Sequence, residues 1–203
     1  MPWCLSGRIE KVVPQKGLTP GLIKRERFSR VSKLIVIMDY EHFMGKALEQ
    51  ARKALSAGEF PVGCVIVYQD RILATGSRKG TAGNFPNEID HAEIIALKRL
   101  VDLKASAGKN KIVLFTTLEP CIMCLGAMIL SGIAEIVYAY EDIMGGGISC
   151  DLTKLAPLYK DCRISIVPNI LRKECLELFK AFFKNPKNSY WRGSLLSRYT
   201  LSQ

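Results

Sequence analysis

Four residues carry the chemistry that this sequence offers. His91 and Glu93 stand two apart in "HAEIIAL", and Cys121 and Cys124 stand three apart in "TLEPCIMCLGAM". Cys-x-x-Cys at a helix start sets two thiols on one helix face. The positive end of a helix lowers a thiol pKa and so favours the thiolate that binds metal. A histidine at a second helix start adds a third donor. Structural zinc sites take four protein ligands, whereas catalytic sites take three and keep one position for water. His91, Cys121 and Cys124 match the second kind, with Zn2+ as the implied cofactor. Glu93 stands close enough to take a proton from water and pass it to a substrate. Three other readings of the cysteine pair stay open on these residues alone. One is a thioredoxin-like redox pair, although its aromatic-Gly-Pro context is missing. Another is a closed structural site with Cys150, Cys162 or Cys175 as fourth ligand. The third is a set of unconnected core cysteines. The full H-x-E … P-C-x-x-C pattern is far more specific than either half.

The elements that must position these residues follow from periodicity. Residues 1–38 contain Pro, Gly and scattered charge without a sustained period, and read as an irregular basic extension. From Met38, Phe43, Ala47, Leu48, Ala51 and Leu55 recur at helical spacing. "PVGCVIVYQDRILATGS" reads as a hairpin turning at Gln69-Asp70-Arg71. Residues 78–90 are rich in turn formers and read as a loop. Asp90 is placed to cap a helix from His91 to about Leu103. "KIVLFTT" predicts a buried strand, and Pro120 opens the helix that carries the cysteines. "AEIVYAY" and "RISIV" predict two more strands, with a Gly-rich loop and a short helix between them. A last long helix starts near Asn169, with a stripe of Ile170, Leu171, Cys175, Leu178, Phe179 and Phe182. Strand–helix–strand units imply parallel pairs covered on both faces, and the hairpin makes the sheet mixed. The expected fold class is α/β, a three-layer α/β/α sandwich on a five-stranded mixed sheet. The expected organisation is the extension at 1–38, one catalytic domain at 39–184, and a C-terminal tail at 185–203 packed on or following it.

Composition limits the function classes. A chain of 203 residues with 48% apolar and 24% charged residues is suited to one globular core. No apolar run nears the roughly 20 residues of a membrane helix, so no membrane partner is expected. The start lacks the order of a secretory signal. Seven cysteines, an odd number and several within apolar runs, do not suit a disulfide scaffold. The expected location is cytoplasmic. Net charge is +10, and it lies at the ends. Residues 1–38 hold eight Lys/Arg against two Asp/Glu, residues 172–203 hold seven against two, and the middle holds fourteen against fifteen. Two basic ends on a near-neutral body suit a polyanion, and equally suit solvated tails.

The H-x-E … P-C-x-x-C pattern resembles the zinc deaminase signature. "GEFPVGCVIV", "DHAEIIAL", "TLEPCIMCLGAMILSGIAEIVYA" and "ILRKECLELFKAFF" follow one another as in the bacterial tRNA adenosine deaminases of the cytidine/deoxycytidylate deaminase superfamily, over residues 39–184. The resemblance implies a cytidine-deaminase-like fold, hydrolysis of an exocyclic amine, and a homodimer. It implies that His91, Cys121 and Cys124 bind zinc and that Glu93 is the catalytic proton shuttle. The implied reaction is adenosine to inosine at the wobble position of tRNA. Deamination of a free base or nucleoside (guanine, cytosine, adenosine) is the alternative, and a non-catalytic zinc-binding partner subunit is the second. An intact Glu93 argues against the last. The helix "CLGAMILSG" offers Leu125, Met128 and Ile129, with Gly126 and Ala127 beside them, as a dimer face.

The sequence also departs from these relatives. Arg78 stands where they carry an Asn that helps hold the nucleoside, and Asn84 and Asn87 are the candidate substitutes for binding substrate. The loop after the fourth strand reads "IMGGGIS" where the relatives have Lys-Thr-Gly. Pro186 interrupts the stretch that in the relatives is an Arg-rich helix end. Tyr190 and Trp191 beyond it are placed either to pack on the domain or to stack on bases.

Overall fold

The computed structural model describes residues 10–11, 38–83, 85–103 and 111–203. Its sheet has the order β1-β6-β5-β4-β2-β3. The hairpin is β2 (Gly63–Tyr68) and β3 (Arg71–Ser77). Its turn is shorter than the sequence suggested. Gln69 and Asp70 both take positive φ, 49° and 57°, the two-residue turn whose twist suits adjacent strands. β4 (Val113–Leu118) lies antiparallel to β2, and β5 (Glu135–Tyr140) and β6 (Ser165–Val167) continue in parallel. These five strands form the expected mixed sheet. β1, only Glu10–Lys11, adds a parallel edge pairing to β6 from within the extension. Two residues leave no periodic trace in a sequence.

Helices cover both faces. α1 (Tyr40–Ser56) starts at Asp39, whose carboxylate accepts from the His42 amide at 2.9 Å. It presses on β2 where Gly63 leaves room, since a Cβ there would lie 2.2 Å from Ala47 O. α5 (Arg172–Lys184) packs beside α1, and α6 (Leu195–Ser202) packs on α5. On the other face lie α2 (Ala92–Asp102) and α3 (Ile122–Leu130), in contact with each other. α4 (Pro157–Lys160) is the short helix before β6.

Several helix starts fall later than the pattern indicated. His91 and Cys121 are themselves the N-cap residues of α2 and α3. Asp90 instead accepts from Asn87 Nδ2 at 2.8 Å. The left-handed backbone of Asn169 and Leu171 delays α5 to Arg172. Leu125, Met128 and Ile129, expected on a dimer face, are buried within this chain. α3 exposes Ile122 and Leu130 instead, with the half-buried Gly126 between them, a stripe at i, i+4 and i+8.

Topology decides where the cysteines and His91 meet. β2 is antiparallel to both β3 and β4, so those two strands run the same way. α2 follows β3 and α3 follows β4, so both helices begin at one end of the sheet. Gly76 sets how near α2 comes, because a Cβ on it would lie 1.8 Å from Ala92 O and 3.0 Å from Ala96 N. Both contacts are helix backbone, which cannot rotate aside. Gly76→Ala should therefore lower stability by about 1–3 kcal/mol or more, read as a lower denaturant midpoint. A midpoint equal to wild type would show that α2 is not seated on that glycine.

Candidate active site

At this end of the sheet the two helix starts converge. His91 Nδ1 lies 3.6 Å from Cys121 Sγ and 3.5 Å from Cys124 Sγ. The three donor atoms all fall within 4.8 Å of one another. One nitrogen and two sulfurs in such a cluster are the donor set of a zinc site. Both cysteines are free thiols, as are Cys150, Cys162 and Cys175, none of which joins the group. Cys175 is buried on α5, across the sheet, and Cys162 donates to Leu158 O at 3.0 Å. The closed four-ligand arrangement is thus not formed among the described residues. His42 is exposed and turns its ring edge-on to Phe43.

Electrostatics at the cluster favour thiolate at Cys121. Hydrogen bonding from Cys124, with a further contribution from His91, holds Cys121 down at about 4 despite burial. The shared proton correspondingly pushes Cys124 up, and burial adds to that. Burial alone would lower the His91 pKa, but the Cys121 sulfur and the Glu93 charge outweigh it and the net shift is upward.

Glu93 is 3% exposed, one of few charged residues in the interior. Its Oε2 lies 3.7 Å from Cys124 Sγ, and its Oε1 accepts from Thr116 Oγ1 at 2.7 Å. Burial raises its pKa, opposed by the Thr116 hydrogen bond. A carboxyl tuned upward by desolvation gives and takes protons more readily near neutrality. Thr116 escaped the sequence reading. Its signal was a hydroxyl inside the apolar run "KIVLFTT". It pairs across the ladder with Cys64, which in turn pairs with Gly76, so the three share the face that α2 covers.

A pocket open to solvent includes His91, Glu93 and Cys121 in its lining. Phe60, Val62 and Leu118 supply apolar surface, and Glu119 and Asp142 supply carboxylates. Asp142 Oδ1 accepts from Met144 N and Gly145 N, each at 2.9 Å, which shapes the Gly-rich loop. That loop crosses the Cys121 turn so closely that a Cβ on Gly147 would sit 2.7 Å from Ile122 N. Arg78, Tyr190 and Trp191 complete the wall. Of the two asparagines considered for substrate, Asn84 lies outside the described residues. Asn87 is exposed and holds the loop, its Oδ1 accepting from Ile89 N and Asp90 N.

A family model for the cytidine and deoxycytidylate deaminase zinc-binding region matches residues 38–140. The chain belongs to that family. It is a hydrolytic deaminase. It is 31% identical over 146 residues to a tRNA-specific adenosine deaminase of Streptococcus pyogenes serotype M1, spanning 70% of this chain and 82% of that one. A protein of the same name from Buchnera aphidicola is 33% identical over 155 residues, 72% of this chain and 95% of the relative. Among solved structures, one from studies of A-to-I editing by tRNA:A34 deaminases at the wobble position superposes with a TM-score of 0.57 at 28% identity. It covers 68% of this chain and 98% of that one. A guanine deaminase of Nitrosomonas europaea shares the fold, with a TM-score of 0.56 at 20% identity over 80% of this chain and 98% of that one.

Thr116 gives the site a test that spares the candidate metal ligands. Thr116→Val should leave the fold intact and lower kcat by roughly tenfold, because Glu93 loses the bond that orients it. Thr116→Ser should restore most of that. Steady-state ammonia release reads both, and a fully active valine variant would separate Thr116 from the reaction.

Proposed function

We propose that this chain is a zinc-dependent deaminase that converts adenosine to inosine in tRNA, at the wobble position. The observation that carries the reading is the convergence of His91, Cys121 and Cys124 beside the buried Glu93 carboxylate. The tRNA-specific relatives cover most of the same domain and supply the substrate. His91 Nδ1, Cys121 Sγ and Cys124 Sγ would hold a zinc ion, which would supply Lewis acidity to the site. Glu93 takes a proton from the attacking water and delivers it to the base. Thr116 fixes the carboxylate while it does so. The apolar walls from Phe60, Val62 and Leu118 limit bulk water around the reacting edge. Water adds at C6 of the adenine, the bond to the exocyclic nitrogen breaks, and the nitrogen leaves as ammonia. The net reaction consumes one water and yields inosine.

The same reading places the protein in the cytoplasm. Among the described residues no helix is long and apolar enough to cross a membrane. It also makes the protein a homodimer through α3. Ile122 and Leu130 are 55% and 58% exposed, and a Cβ on Gly126 between them would meet only open space. That face suits close approach of a second copy.

Binding and chemistry separate by mutation. Cys121→Ser or Cys124→Ser should lose zinc and stability together. Glu93→Ala should keep about one zinc per chain and lose turnover by 10,000-fold or so, measured as inosine in tRNA. A third of wild-type activity in that variant would remove Glu93 from the mechanism.

Salt dependence identifies the substrate. Association with tRNA should weaken by about tenfold or more between 50 and 200 mM salt as phosphate counterions are retained. Brisk deamination of guanine, cytosine or adenosine, insensitive to salt and without inosine in tRNA, would replace tRNA by the free compound.

A further inference from the structure

The C-terminal segment after Pro186 does not leave the domain; it returns to the pocket. Tyr190 is buried and Trp191 is half-buried, and both line the cavity that holds His91 and Glu93. The two rings stack with centroids 4.8 Å apart and planes inclined by 17°. Phe60 anchors them, meeting Tyr190 and Trp191 at 5.4 Å each and Phe179 and Phe182 at 5.3 Å each. Trp191 also takes a left-handed backbone, φ 53°. Such a conformation is costly for a bulky side chain and persists only where its surroundings impose it.

Beside the aromatic pair lies a buried cation. Arg78 is 2% exposed, yet it lies in the cavity wall. Its Nη1 donates to Lys79 O at 2.9 Å and to Asp90 O at 3.0 Å. Its Nη2 donates to Glu88 Oε2 at 3.1 Å and reaches Tyr190 Oη at 3.5 Å. Tyr190 closes the triangle, donating to the same Glu88 oxygen at 2.8 Å. The guanidinium bonds therefore go to protein. They tie the loop before α2 to the aromatic pair of the tail.

We propose that Trp191 is the surface on which the target base stacks, and that Arg78, through Glu88 and Tyr190, is the positioning residue that holds it at the pocket. Every nucleobase presents a π-face, so such a wall gives affinity and leaves the identity of the base to polar contacts. The inference rests on the deaminase reading of the cavity but not on which base-bearing molecule enters it.

The test uses the full-length, zinc-loaded protein and an anticodon stem–loop RNA with adenosine at the wobble position. Trp191→Ala should raise KM about tenfold or more while kcat stays within about threefold and zinc is retained. Trp191→Phe should recover most of the loss. Tyr190→Phe removes one hydroxyl and keeps the ring, and should raise KM by a smaller factor at unchanged kcat. Arg78→Lys should behave likewise, since ammonium cannot bridge the same acceptors. If the arginine variant fails to fold, Tyr190→Phe still reads the latch. The sequence holds two tryptophans, Trp3 and Trp191. In a Trp3→Phe, Glu93→Ala background, saturating RNA should therefore quench the remaining fluorescence. An unchanged KM in Trp191→Ala, or RNA retained on filters without quenching, overturns the inference and leaves the tRNA reading standing. If wild type neither binds nor deaminates the RNA, it is the tRNA reading that falls. The same fluorescence titration with adenine, guanine and cytosine then decides the wall: quenching by the base that is deaminated supports it, and deamination without quenching overturns it.

Discussion

The seat of α2 on Gly76 is the contact on which the site depends. Helix backbone rests there against strand backbone with no side chain between them. Helices usually stand off a sheet by the thickness of the side chains they share, and a Cβ at Gly76 would force that distance. His91 and Glu93 would then move away from α3, whose Cys121 and Cys124 are set by the separate strand β4. A cluster whose donors lie within 4.8 Å cannot absorb such a shift. The Gly-rich loop after β5 imposes the matching constraint on α3, because Gly146 and Gly147 let it lie against Glu119 and the Cys121 turn. Both halves of the site are therefore located by bare backbone.

Position then produces chemistry. Helix starts present unpaired N–H groups and a partial positive charge, and the candidate metal ligands His91 and Cys121 are both N-caps. That field favours thiolate at Cys121, whose pKa is held down, while at His91 the Cys121 sulfur and the Glu93 charge outweigh burial and the net shift is upward. Glu93 in the first turn of α2 sits in the same field, which favours its charge, but burial wins and its pKa rises. The opposing effects leave a buried carboxyl whose pKa is shifted upward, beside donors that could hold a metal.

Much of this was legible in the sequence. The order of elements and the five strands follow from period and turn residues. His91, Glu93, Cys121 and Cys124 stand out by type and spacing because metal ligands and proton carriers come from a short list of side chains. What the sequence concealed was tertiary. Gly76 looked like any strand-end glycine, since its meaning lies in Ala92 O across the layer. Thr116 looked like one more β-branched strand residue. The face of α3 was misjudged because all three of Leu125, Met128 and Ile129 fit a dimer contact as well as a core, and periodicity does not say which apolar face meets the sheet. Arg78 was noticed as a departure, but its partners Glu88 and Tyr190 lie 10 and 112 residues away, beyond any local pattern.

The tail also gives the uneven charge a place. Lys184, Lys187 and Arg192 are exposed on the same segment that brings Tyr190 and Trp191 to the cavity. Arg192 is partly committed to its own turn, since its Nη2 donates to Asn188 O at 2.6 Å, yet its charge still faces solvent. Positive charge therefore flanks the aromatic wall, while the pocket interior carries the carboxylates of Glu93, Glu119 and Asp142. Such an arrangement suits the proposed RNA substrate better than a free base. A phosphate backbone is attracted to the flanking cations, whereas base contacts are what the pocket itself can supply. Within the pocket, the apolar surface of Phe60, Val62 and Leu118 and the rings of the wall suit the π-face of a base. The exposed cations and the aromatic wall are thus carried by one stretch of chain, residues 184–192, which returns to the domain after Pro186.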